Sequence, residues 1–218
     1  MKTAALDAPT ARRLAAAARS CAALAAPVLL LLAGCAQAPA PAPAPAPADL
    51  SWLPQAREVA QNVPPRLLAV LQDEIARNGF DGAVQACRVK APEMARAASE
   101  QTGWQIRRVS LRERNPRAVP DAWERAALLD FDRRAAAHEP PAGLERAEVV
   151  TEGGQTVRRY IRALPTMDLC LNCHGKPERL NPAVAARLKE LYPNDRGVGY
   201  VNGEIRGAIT LRRVVAAN

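Results

Sequence analysis

The sequence predicts an α+β domain built on an antiparallel sheet. Three observations support this fold class: helical periodicities come first along the chain, a hairpin signal lies in its middle, and an alternating strand pattern ends it. The hairpin signal is Glu152-Gly153-Gly154, which separates the predicted strands 145–151 and 155–164. Helices that precede antiparallel strands, and later interrupt them, are typical of an α+β arrangement.

The other elements follow from the spacing of apolar residues. Residues 56–76 predict two helical pieces, the second beginning at Pro65 and ending at Asn78-Gly79. Asp81 is a suitable N-cap for a helix to Ala98, which Pro92 should end or kink. The chain then predicts a strand at 104–111, a helix at 120–136, a short helix at 183–191 and a last strand at 204–214.

The N-terminus predicts an export signal of a lipoprotein. Four Lys or Arg residues and one Asp precede a short apolar run that ends at Gly34. This run is too short for a transmembrane helix. The letters LAGC at 32–35 match the bacterial lipobox, in which Cys35 would be lipidated and become the mature N-terminus. The alternative is an ordinary signal peptide followed by an incidental cysteine.

Composition divides the chain into three predicted parts. These are a lipoprotein signal peptide at 1–34, the lipidated Cys35 with an Ala/Pro linker to residue 50, and one domain at 51–218. The alternating prolines favour an extended spacer. We expect the domain to face the periplasm from a lipid anchor, with the outer membrane mildly preferred because Ala36 is not the Asp associated with inner-membrane retention.

Charge and composition exclude several classes of protein. With 49% apolar and 4% aromatic residues, the chain is not a polytopic membrane protein, a collagen or a disordered chain. The net charge of +8 falls to +5 when the signal and its four positive and one negative residues are removed. A moderate excess spread along the sequence does not predict a nucleic-acid groove.

The motif Cys170-Leu171-Asn172-Cys173-His174 predicts one covalently bound haem c. Two thiols three residues apart can each add to one vinyl group of a porphyrin, and the next residue places an imidazole on the iron. Export is consistent with this, because bacteria attach such haem outside the cytoplasm. A thioredoxin-like pair, a zinc site and a strained disulfide are the alternatives, and the first two lack the surrounding pattern or ligands that they need.

The residues themselves leave the second axial ligand of the iron open. Met/His ligation is common in cytochromes and would favour Met94, whereas Met167 is close to the motif and His138 is expected at the surface. Cys87 is the one cysteine used neither by the signal, nor by lipidation, nor by haem attachment. An unpaired thiol is unusual in an oxidising compartment and therefore needs an explanation. A small buried apolar residue and an iron ligand are both consistent with Cys87.

Several blocks of the sequence resemble a bacterial family of exported c-type haem proteins. They are AVQACRVKAPEMA at 83–95, RNPRAVPDAWERAALLDF at 114–131, CLNCHG at 170–175 and RGVGYVNGEIRGAITL at 196–211. The resemblance covers roughly 67–213 and implies a PAS-like fold, a central antiparallel sheet flanked by helices. It also implies that the cysteine of a C-x-x-x-A-P segment, here Cys87, is the axial ligand opposite His174.

These expectations together favour a monohaem cytochrome that transfers electrons or senses redox state, with no catalytic residues. An anionic thiolate favours ferric iron, so the reduction potential should be low. Reduction could release Cys87 and open a place for a small gas, which would make a gas sensor; a peroxidase-like enzyme is the other alternative. The expected partners are the membrane and an unknown redox or signalling protein.

Two further patterns in the sequence bear on function. Five arginines could meet haem propionates or an acidic partner, although a solvated face is the simpler interpretation; they are Arg107, Arg108, Arg112, Arg114 and Arg117. Gly197-Val198-Gly199 resembles a nucleotide loop only superficially, because it leads into a strand and no helix follows it.

Overall fold

The computed structural model describes residues 49–215, so the predicted signal peptide, Cys35 and most of the Ala/Pro linker lie outside the described residues. The helices are α1 (Leu53–Thr102), α2 (Ala122–Ala136), α3 (Leu171–His174) and α4 (Pro182–Leu191). The strands are β1 (Gln105–Val109), β2 (Glu145–Glu152), β3 (Gln155–Pro165) and β4 (Ile205–Val214). They form one antiparallel sheet in the order β1-β4-β3-β2, which confirms the predicted α+β fold and its hairpin.

Helix α1 differs from the prediction in one respect. The predicted boundary at Asn78-Gly79 is present, but α1 continues through Pro64-Pro65, where the sequence predicted a second boundary, and through Pro92, where it predicted an end or a kink. Only Gly79 leaves the helical conformation, with φ 71° and ψ 179°. We attribute the continuity at the first prolines to packing on the sheet, where Ala56 and Ala60 are fully buried, because tertiary burial can outweigh the hydrogen bonds that prolines remove.

The sheet is covered on both faces, by α1 on one and α2 on the other. Trp52, Ala56 and Ala60 of the α1 side pack against sheet residues that share one face, namely Trp104, Ile106, Tyr160, Ile209 and Leu211. Small alanines spaced by one helical turn let the helix approach the sheet closely. On the opposite face Ala127, Leu128 and Phe131 of α2 pack against Val109, Ile161 and Ala163.

Helix α2, which the sequence predicted at 120–136, begins with a capping box. The Asp121 side chain accepts a hydrogen bond from Glu124 N, and the Glu124 side chain accepts one from Asp121 N. Glu124 is buried and forms ion pairs with Arg107 and Arg159, and Arg159 also pairs with Asp121 at 2.6 Å. The first turn of α2 therefore joins a helix cap to a buried ion network.

None of the helices in residues 49–215 is both long and apolar enough to cross a membrane.

We predict that Asp121→Ala lowers the free energy of unfolding by about 1–2 kcal/mol at neutral pH, because it removes the cap and one partner of Arg159. Burial opposes ionisation of Asp121, but the hydrogen bonds from Glu124 N–H and Arg159 outweigh burial and hold its pKa below the usual value. A lowered pKa stabilises the fold above the ordinary pKa of an aspartate, and this contribution is lost as the pH falls through the folded value. Urea unfolding at several pH values measures both effects.

Asp73→Ala is the matched control, since Asp73 forms only an exposed ion pair with Arg77 within one helix. Equal losses in the two variants would contradict the role assigned to the cap.

Candidate haem site

The C-x-x-C-H motif lies on a helical turn. A 3-10 turn at Asp168–Cys170 follows the end of β3 and continues into α3, Leu171–His174. Residues at positions i, i+3 and i+4 share one face of a helix. The motif spacing thus places Cys170, Cys173 and His174 on one side of this turn.

Gly175 ends the turn because no larger residue fits there. Its N–H donates to Leu171 O at 2.9 Å, and a Cβ at this position would lie 2.5 Å from the same oxygen. The following residues pair with the loop before β4: Tyr200 N donates to His174 O at 2.9 Å, and Gly199 N donates to Gly175 O at 2.8 Å. The motif is thereby held against residues 197–200.

The imidazole of His174 has a defined tautomer. Its Nδ1 lies 2.6 Å from the carbonyl oxygen of Gly197, which can only accept a hydrogen bond, so Nδ1 carries the proton. Arg206 Nε lies 3.0 Å from the same Nδ1. A protonated Nδ1 cannot also accept from Arg206, and we assign the hydrogen bond to the shorter contact. Nε2 then carries no proton, and its free lone pair can bind a metal.

Burial keeps this imidazole neutral. Burial, with the neighbouring cations of Arg206, Arg114 and Arg108, lowers the pKa of His174 well below its usual range. The ring of Tyr200 meets it edge-on, with centroids 6.4 Å apart. A neutral imidazole with one nitrogen committed to a carbonyl is the usual state of a histidine that ligates iron.

Arg114 and Asp195 fix the loop that holds His174. Arg114 Nη2 donates to Cys173 O at 2.5 Å and to Gly197 O at 3.3 Å, while its Nε pairs with Asp195 at 2.9 Å. Asp195 also accepts from Gly197 N at 2.7 Å. Both side chains of the ion pair are only 11% exposed. One ion pair therefore orients the Gly197 carbonyl and the second motif cysteine together.

Cys87 lies on the half of α1 that follows Gly79, next to the motif. Val84, one turn earlier, belongs to a cluster with Val184 and Leu188 of α4, against which Cys173 packs. Burial raises the pKa of the Cys87 thiol, and the nearby Arg108, Arg114 and Arg206 lower it. The same three cations act on His174, so the structure brings Cys87 and His174 into one basic environment.

All three cysteines of the site are free thiols. Burial raises the pKa of Cys173 to about 11, with Arg114, Cys87 and Cys170 the nearest groups that affect it. The structure thus gathers Cys87, Cys170, Cys173 and His174.

The other ligand candidates lie in different settings. Met94 is half-buried on α1, seven residues after Cys87, and Met167 is 47% exposed just after β3. His138 is exposed in the turn that follows α2, where it adopts a positive φ of 65°.

The predicted group of arginines divides in two. Arg107 bonds to the buried Glu124, and Arg117 is exposed in a turn. Arg112 stacks on Tyr200 with 3.5 Å between its guanidinium carbon and the ring centre, and Arg108 and Arg114 also surround the site. The sequence did not reveal the roles of four residues at this site, namely Asp195, Gly197, Tyr200 and Arg206. Three of them lie in or beside the Gly197–Gly199 loop, for which the sequence indicated no function, and the role of Arg206 depends on the register of β4.

Fold and site together define a PAS-like α+β domain that carries a C-x-x-C-H turn beside a helix cysteine. The chain belongs to the Tll0287-like family, whose model matches residues 49–213, and this confirms the family resemblance of the sequence. The crystal structure of the cyanobacterial heme-protein Tll0287 is similar to 78% of this chain and 99% of that chain, with a TM-score of 0.59 and 22% identity. At this identity the likeness shows the fold alone. No curated protein matches the chain.

We predict that Gly175→Ala lowers the free energy of unfolding by about 1–3 kcal/mol, since the added methyl group forces residue 175 away from Leu171 O and disturbs the end of α3. Chemical denaturation measures the loss. Gly143→Ala is the control, because a Cβ there meets no atom within 4 Å. A Gly175 variant as stable as the Gly143 variant would contradict the close approach.

Proposed function

We propose that this protein is a membrane-anchored c-type cytochrome with one haem, which transfers electrons or senses redox state at the periplasmic face of a bacterial membrane. The observation that carries this proposal is the helical turn 170–174, which presents two free thiols and a neutral imidazole on one side. The related cyanobacterial protein is described as a heme-protein, which supports the same cofactor here.

The described residues fit a covalently attached haem. Cys170 and Cys173 have the spacing needed to form thioether bonds to one porphyrin. His174 would supply Nε2 to the iron, because its Nδ1 is committed to Gly197. Bound haem supplies one-electron chemistry, and the protein sets its potential and orientation.

Cys87 is the proposed second axial ligand. Burial raises the pKa of its half-buried thiol, and the cations that it shares with His174 oppose that rise in part. The thiolate is the form of cysteine that binds metals, and bound ferric iron would favour it further. Thiolate ligation favours the ferric state and a low reduction potential. The neighbouring guanidiniums oppose that preference in part, because positive charge destabilises the ferric iron.

A peroxidase-like activity has less support. It would need an acid–base residue facing the cofactor, and the available histidine, His138, is exposed in the turn after α2.

The principal test is expression of the full chain in a host that matures c-type cytochromes. Wild-type protein should be red and heavier by the mass of one haem, about 600 Da. A Cys170→Ser, Cys173→Ser double variant should be colourless and lack that mass. Cys87→Ala should keep the covalent haem but change the optical and EPR signals of the ferric low-spin iron.

Met94→Ala is the matched control for Cys87, since both residues lie on the same half of α1. Wild-type signals in the Cys87 variant, together with altered signals in the Met94 variant, would assign the ligand to Met94. Colourless wild-type protein would overturn the cytochrome.

The proposed anchor is tested separately. Cys35→Ser should move the protein from the membrane fraction to the soluble periplasmic fraction, because a serine cannot be lipidated through a thioether. Metabolic labelling with a palmitate analogue should mark the wild type and not the variant. A labelled Cys35 variant would contradict the anchor.

A further inference from the structure

Arg206 reaches the site because β4 contains a β-bulge. In the pairing with β3, Leu164 faces Gly207 and Pro165 faces Ile205, which leaves Arg206 without a partner residue. Ile205 and Ala208 both pack in the cluster of α2, although residues three apart in a regular strand point to opposite faces. The extra residue therefore turns Arg206 to the side of His174, as bulges near functional sites often do.

Gly207 makes this bulge possible. Its φ is 152°, and a Cβ would lie well inside contact distance of Val109 O on the neighbouring strand. The close approach of β1 and β4 at this point thus requires glycine. The backbone of the bulge therefore determines the side of the sheet to which Arg206 points.

Arg206 has few partners for a buried cation. Its Nη1 donates to Ser110 Oγ at 3.2 Å, its guanidinium lies 5.3 Å from the Tyr200 ring centre, and its Nε faces a nitrogen of His174 that already donates elsewhere. Within residues 49–215 no carboxylate forms an ion pair with it, whereas Arg114 pairs with Asp195 and Arg112 with Glu204. Burial and the repulsion of Arg108 lower the pKa of Arg206 to about 10.

Arg108 is the second unpaired guanidinium of the site. It lies on β1 opposite Ile209, on the face of the sheet that α1 covers, and no carboxylate of the described chain pairs with it. Solvent reaches its side chain, yet burial lowers its pKa. Protein atoms thus surround the guanidinium, although solvent still reaches the side chain. Two unpaired positive charges therefore face the region between Cys87 and His174.

We propose that Arg206 and Arg108 bind the two propionate carboxylates of the haem. The inference rests on the proposed function, because that function supplies the ligand. A haem carries two propionates, which matches the two guanidiniums left without a carboxylate. Guanidinium groups bind carboxylates through paired, charge-assisted hydrogen bonds. For Arg206, which is partly buried, a charge without a carboxylate is also costly until such a partner binds.

The test compares Arg206→Gln and Arg108→Gln in the full, haem-loaded chain. Each should shift the propionate bending band in the resonance Raman spectrum and lower the reduction potential, because lost positive charge favours the ferric state. The potential should also depend more strongly on pH, since a propionate without its cation protonates more easily. Arg206→Lys should restore part of the potential but not the band, because lysine keeps the charge without the paired geometry.

Arg196→Gln is the matched control, as it removes the same charge from an exposed residue that pairs with Glu113. A propionate band unchanged from the wild type in both Gln variants would overturn the proposal. So would a change confined to the EPR signals of the axial ligands, because Arg206 would then act only through His174. A colourless wild type would refute the proposed function itself, and that result is visible before any arginine variant is made.

Discussion

The hydrogen bond from His174 Nδ1 to the carbonyl oxygen of Gly197 is the contact on which the site depends. It joins the turn after β3 to the loop before β4, and the Arg114–Asp195 ion pair adds the segment after β1 to the same junction. Segments next to three strands thus meet at one end of the sheet. Each segment contributes one part: the motif, the carbonyl that orients the imidazole, and the cation that orients the carbonyl.

The arginines on the α2 side of the sheet and those around His174 differ in how their charge is balanced. On the side of α2, Arg159 is matched by Asp121, Glu124 and Glu152, and Arg212 pairs with Glu152 as well. Around His174 the guanidiniums outnumber the carboxylates that pair with them. The same chain thus pairs its buried arginines with carboxylates on one side and leaves arginines without carboxylates around His174. Local departures from the rule that buried charges are paired are typical of functional sites.

Local spacing made part of this molecule predictable from its sequence. Three features could be predicted because each depends on residues close together in the chain. They are the start of α2 near Asp121, the hairpin at Gly153-Gly154 and the grouping of Cys170, Cys173 and His174. Arg206 could not be found in this way, because strand alternation would have placed it on the α2 side and only the bulge reverses it. The helix boundary predicted near Pro65 was wrong for a similar reason, because the packing of α1 on the sheet cannot be read from the helix sequence. The placement of Cys87 beside the motif needed the family resemblance, because its own residues left two interpretations open.

The break at Gly79 separates two groups of buried side chains in α1. Residues before the break pack on the sheet around Trp104, whereas Phe80 and Val84 just after it pack on α4, and Ala98 near the end of the helix returns to the cluster around Trp104. Changes in clusters that share no side chains usually add independently. Substitutions around Trp52 and Ala60 can therefore change the thermal stability of the protein while the surroundings of Cys87 stay as they are. Stability and cofactor chemistry can thus vary independently within one helix.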